Sequence, residues 1–173
     1  MPNDAPSEPC LLGSLKAVDG RGVLVMQDRF AAEIDTIWIA LTDKVRLARW
    51  LGDFTGDLRA GGIVHAHFHA SGAEGKHRID VCEAPTHLRV ISLDNDGNDG
   101  VVIDITVTAE NSGTIVALTQ SALPLKWIVA FGAGMQVHFE DLAFHLAGQE
   151  RCNSDARMDQ LMPLYEKQGL NAG

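Results

Sequence analysis

The residue pattern predicts an α+β fold: an antiparallel sheet of about six or seven strands, covered by one long helix near the C-terminus. Three observations carry this. Leu125, Ile128, Gly132, Met135, Phe139, Leu142 and Leu146 recur at alternating three- and four-residue steps within residues 124–148, which marks one face of an α-helix. The chain before that helix breaks into short alternating segments bounded by turn residues, and connections that short demand antiparallel neighbours. Two short amphipathic segments lie between the first strand and the rest, a unit suited to closing one end of a sheet.

The elements follow in order. Residues 1–21 are rich in Pro, Gly, Asp and Ser and read as a flexible N-terminal arm, with Leu11 and Leu12 available to dock on the body. Alternation over residues 22–30 predicts the first strand. Ile34, Trp38 and Leu41 take a helical step, with Glu33 and Asp35 in the first turn, where negative charge suits the helix dipole. Val45, Leu47, Trp50 and Leu51 form a second short helix that ends at Gly52. Strands are then predicted at 54–58, 63–70, 76–82, 88–93, 101–108 and 114–121, with turns at Ser71-Gly72, Pro85, 94–100 and Asn111-Ser112-Gly113. Pro124 suits the first turn of the cover helix and Gly148 its stop, while Lys126, Glu140 and Asp141 fall away from its apolar stripe. Residues 149–173 read as a tail with one short helix, carrying Met158, Leu161, Met162, Leu164 and Tyr165.

Composition narrows the function. The chain has 173 residues, 46% of them hydrophobic, enough for the core of one domain. Its net charge of -9, from 14 basic and 23 acidic side chains, offers no cationic cluster for nucleic acid or an anionic membrane. Cys10, Cys82 and Cys152 lack metal or redox spacing. Their odd number, with a polar acidic N-terminus and no targeting signal, implies reduced thiols and a cytoplasmic location.

Several motifs resemble one family. They are Ile37-Trp38-Ile39-Ala40-Leu41-Thr42-Asp43, Leu47-Ala48-Arg49-Trp50-Leu51, Gly61-Gly62, Glu83-Ala84-Pro85 with Leu88, Gly113-Thr114, and Gly132-Ala133-Gly134-Met135-Gln136-Val137-His138. Together they are similar to the bacterial START-like (SRPBCC) proteins related to the activator of the heat-shock-protein-90 ATPase, over residues 22–148. The resemblance implies a helix-grip fold, in which a curved sheet wraps the C-terminal helix and leaves a cavity between them. It brings no catalytic motif. Two positions depart from the family pattern: Met135 stands where Trp is frequent, and Ser92 where an aromatic is frequent.

On that fold, Trp38, Trp50, Phe54, Phe68, Met135 and Phe139 are candidates to line the cavity, although aromatics also dominate ordinary cores. His77 shares the parity of Ile79 and Val81, so it faces inward as a ligand-orienting or acid–base group; the plainer reading has it reach water past the rim. Gln120 shares a face with Val116 and Leu118 and is either a ligand-binding amide or a core amide satisfied by backbone. His65, His67 and His69 alternate on one strand and could grip a metal with a third ligand from another strand. Val64, Ala66, Phe68 and Ala70 form the apolar face, however, so the histidines are expected in solvent and no metal is assigned. Cys82 has the parity of Arg78 and Asp80 and is expected outward. Gly132 and Gly134 each weaken the helix by about 1 kcal/mol against Ala, and either close packing or room for a ligand accounts for them.

The expected function is therefore a binding protein for a small, largely apolar molecule, with no cofactor and no catalytic residue assigned. Two alternatives stay open: a co-chaperone-like or stress-related module that binds another protein or a second copy of the chain, and a cyclase or hydrolase acting on an aromatic or polyketide-like substrate.

Overall fold

Apolar alternation lays down the sheet, and turn chemistry sets its order. The computed structural model describes residues 10–171. Its first strand, β1 (Gly13–Val18), lies within the stretch expected as a loose arm. It pairs antiparallel with β2 (Arg21–Phe30) through a loop of two residues, Asp19 and Gly20. Both have positive φ, 49° and 74°, as hairpin turns of this length require. Leu15 is fully buried, and full burial of a leucine stabilises by about 1.5–3 kcal/mol, so the arm is held to the body from Gly13 onward. Residues 1–9 of the expected arm lie outside the described residues.

Helices α1 (Ile34–Thr42) and α2 (Lys44–Trp50) follow as expected. Asp43 separates them, and its carboxylate accepts the Arg46 N–H at 3.0 Å to start α2. The Trp50 indole N–H donates to the Ala40 carbonyl at 2.9 Å and ties the two helices together.

Strands β3 (Gly52–Gly56), β4 (Ile63–Phe68), β5 (Glu74–Glu83), β6 (His87–Leu93), β7 (Asp99–Glu110) and β8 (Gly113–Leu123) form the expected meander. The sheet has nine strands in the order β3-β4-β5-β6-β7-β8-β2-β1-β9. The two beyond the expected set are β1 and the short β9 (Leu170–Asn171), which runs parallel to β1.

A bulge corrects one orientation. Between Ile79 and Val81 the register of β5 against β6 slips by one residue, so Cys82 pairs with buried Leu88. Cys82 therefore packs against the core instead of facing solvent, and burial pushes its thiol pKa up.

A 3₁₀ turn (Leu125–Trp127) leads into the cover helix α3 (Ile128–Leu146). Leu125, expected on the apolar stripe, is exposed, because the helix proper begins only at Ile128. Asp141, expected to fall away, is fully buried; one carboxylate oxygen accepts the Cys152 N–H at 2.8 Å. The cause is α4 (Ser154–Gln168), longer than the short tail helix expected, which packs along the far side of α3. Leu161 and Tyr165 of α4 are fully buried, and Arg157 makes a bidentate ion pair with Glu140 of α3 at 2.7 Å.

A polar node joins these layers. Buried Gln136 accepts from the Tyr165 hydroxyl at 2.6 Å and from the Leu12 N–H at 3.1 Å, and donates to the Cys10 carbonyl at 3.0 Å. The Tyr165 hydroxyl in turn accepts the Gly13 N–H at 3.1 Å.

The two helix glycines separate by environment. A Cβ on Gly132 would meet Leu15 at 3.1 Å and the Tyr165 ring at 3.2 Å, whereas one on Gly134 would meet nothing within 4 Å. Gly134→Ala is therefore expected to raise stability by about 1 kcal/mol in urea unfolding, and Gly132→Ala to gain less or lose. Tyr165→Phe strands the Gly13 N–H and is expected to cost about 1–3 kcal/mol in the same measurement.

Candidate functional site

Alternate residues of β4 point to opposite faces of the sheet, and this separates two chemistries. Val64 and Ala66 are buried toward α3, and Phe68 is half-buried on the same side. His77 lies opposite Val64 on β5 and shares that inward face. It is 9% exposed, so it is an interior group and not the rim histidine favoured from the sequence.

Four rings meet there. Phe68 stands edge-on to Phe54 at 5.9 Å between centroids and edge-on to His77 at 5.8 Å. It also faces the His138 ring of α3 at 6.0 Å, tilted by 39°. The structure thus brings together Phe54, Phe68 and His77 of the expected set and adds His138. That residue escaped the sequence reading because it sits between stripe positions Met135 and Phe139; its place one turn beyond Gly134 was the available signal.

The other expected residues are distributed differently. Trp38 and Trp50 are buried in the core with α1 and α2, and Phe139 packs on Phe30 at 6.2 Å. Met135 is half-buried on α3 and packs against the core. Gln120 is 4% exposed, and its side-chain oxygen has no hydrogen-bond partner, so the backbone does not satisfy it. Ser92 pairs directly with His77, and its hydroxyl accepts the Val101 N–H at 2.7 Å.

The electrostatics of the ring cluster follow from burial. The Nδ1 atoms of His77 and His138 are both shut off from solvent without a partner. Burial pushes the His77 pKa below its ordinary value and the His138 pKa down to about 4. Both imidazoles are therefore neutral near pH 7. A neutral imidazole nitrogen can accept from a hydroxyl or donate to a carbonyl according to tautomer. Buried and unpaired, such an atom costs about 1–3 kcal/mol, which a polar group arriving in the site would recover.

The rings of Phe68, His77 and His138 reach one another across the space between sheet and helix. A hollow of about 370 Å³ lies on the opposite, outer face of the sheet, lined by residues such as Val25, Gln27, Arg89, Asp104 and Thr119.

Because His138 has a lower pKa folded than unfolded, the unfolded chain binds more protons between about pH 6.5 and pH 4. Its contribution to stability is complete above that window and is lost as pH falls through it. Unfolding free energies from denaturant titration across this range are expected to fall with pH more steeply for the native chain than for His138→Phe, the difference reaching a few kcal/mol.

The comparisons with known proteins agree with this architecture. The crystal structure of CalU16 from Micromonospora echinospora superposes with a TM-score of 0.71 at 20% identity, covering 90% of this chain and 94% of that one. A solution structure from Bordetella parapertussis gives 0.69 at 20% identity, covering 95% of each chain. DynU16, described as a protein of the dynemicin biosynthetic locus, gives 0.66 at 22% identity over 76% of this chain and 50% of its own. Among curated proteins none matches the sequence. Among the described residues no helix is long and apolar enough to cross a membrane. Residues 31–147 match the model of the Activator of Hsp90 ATPase homolog 1-like family, and with its helix-grip architecture the chain belongs to that START-like (SRPBCC) family.

Proposed function

We propose that this protein binds a small, largely apolar molecule with one or two hydrogen-bonding oxygens, in the palm between the sheet and α3. The observation that carries the reading is the pairing of Phe54 and Phe68 with two neutral imidazoles whose buried Nδ1 atoms lack partners. Apolar walls with a few convergent polar groups are the usual make-up of a small-molecule site. Open space beside Gly134 provides a way in along α3.

A ligand enters this site by parting rings, not by filling a ready void. Phe54 and Phe68 are half-buried and lie on β3 and β4 at the edge of the sheet, where few neighbours resist a change of rotamer. Once a ligand ring lies between them, its oxygens meet His77 or His138, and Gln120 offers a further acceptor on the inner face. Met135, flexible and half-buried, adapts to its outline. The chemistry called for is that of a binder, and no reaction step is assigned.

Gly134→Leu places bulk in the open space beside α3, and Met135→Trp enlarges a half-buried side chain next to it. With a fluorescent naphthalene sulfonate as probe, both variants are expected to keep the native circular dichroism spectrum and lose at least about tenfold in affinity, roughly 1.4 kcal/mol. Unchanged affinity in both would overturn the palm as the site. Native mass spectrometry of the chain from its own host is expected to show a retained small molecule in the native protein and not in Gly134→Leu.

A further inference from the structure

The outer face of β3 and β4 carries a different constellation. Asp53 on β3 pairs directly with His67 on β4, and His69 lies one residue beyond the end of β4. Each of the three offers one ligand atom, and these atoms all lie within 4.8 Å of one another. We propose that Asp53, His67 and His69 form a divalent transition-metal site of the zinc class on the back of the β3–β4 edge.

Three features support it. The His69 Nε2 lies 2.8 Å from the Ala48 carbonyl oxygen. A carbonyl has no proton to give, so Nε2 carries the hydrogen and Nδ1 keeps its lone pair. Metal-binding histidines are commonly held in this way, by a carbonyl on the other ring nitrogen. Second, Glu74 lies opposite His67 on β5, with its carboxylate 3.9 Å from His67 Nε2. Two carboxylates thus flank the imidazoles and favour a cation. Third, two imidazoles and a carboxylate are the donor set that zinc and its neighbours accept, with positions left for water.

The fit requires small movements only. Bonds of about 2.0–2.2 Å to a tetrahedral ion bring ligand atoms to about 3.3 Å from one another. The spread of 4.8 Å closes to that by side-chain rotation, and His67 has the freedom for it, with a side chain 43% exposed. From the sequence, His65, His67 and His69 share one face and a third ligand is left to another strand, with no metal assigned; Asp53 supplies that ligand through strand pairing. His65 lies on the same face, one step further along β4 and opposite Thr55 instead of Asp53.

The position gives the ion a mechanical consequence. Asp53 and His67 alternate along their strands with Phe54 and Phe68, which face the palm. An ion would clip edge strand β3 to β4, and through the Ala48 carbonyl to α2, and so hold the wall that carries those rings.

The test uses the full chain purified without a histidine tag, stripped with chelator and titrated with zinc by calorimetry, with thermal unfolding in parallel. One zinc ion per chain and a raised melting temperature are expected. Asp53→Asn and His67→Ala are expected to weaken binding by more than the roughly 10–100-fold typical of losing an outer partner of a ligand. His65→Ala is expected to bind as the native chain does. All three are surface changes, and circular dichroism confirms their folding. Absence of saturable binding overturns the proposal, as does native-like binding by Asp53→Asn or a loss in His65→Ala equal to that in Asp53→Asn, which would describe a histidine-only surface site.

Discussion

Helix α3 is covered on two sides, and the rest of the structure depends on that constraint. The concave face of the sheet holds one side and α4 the other, so α3 buries Ile128, Phe139 and Leu142 as well as Gly132, Gln136 and Asp141. Polar residues deep between layers are costly unless paired. Gln136 meets this through Tyr165, Leu12 and Cys10; Asp141 meets it with one oxygen, through the Cys152 backbone, while its other carboxylate oxygen is buried without a partner. The same bonds fasten the segment leading into β1, and α4, to the cover helix. Gly132 marks the closest approach between these layers and admits no side chain without displacing Leu15 or Tyr165.

Fixing α3 in this way sets what faces the palm. With its far side committed to α4, the helix presents His138 toward Phe68 of β4. Strands β4 and β5 contribute Phe68 and His77 from the inner face, while His65, His67 and His69 go to the outer one. One short run of chain, from Ile63 to Phe68, therefore supplies an apolar wall on one side and imidazoles on the other. Period-two alternation does this without any special motif, and the pleat keeps the two environments separate.

Where the sequence misled, the cause was in each case an interaction between distant residues or a local turn that was passed over. The β1–β2 hairpin is the second kind: Asp19-Gly20 is a strong local turn signal, overlooked because the flanking composition resembled an arm. Cys82 is the first kind, since a bulge against β6 reverses its parity. Asp141 and Leu125 exchanged their expected environments because α4 covers one and the late start of α3 exposes the other. His77 is interior beside the Phe68 ring, which also packs on Phe54 and His138, and these rings come from different elements.

The amino-acid order by itself determined the helix-grip architecture: the strand alternation, the two short helices and the long apolar cover helix follow from periodicity and turn residues, which are local properties. It also determined that β4 would divide apolar residues from histidines. Only the tertiary structure decided which side chains meet, that His138 joins Phe68, and that Asp53 comes to lie beside His67. The physical reason is that strand register, bulges and the packing of α4 are set by contacts between residues far apart in the chain, and no local pattern records them.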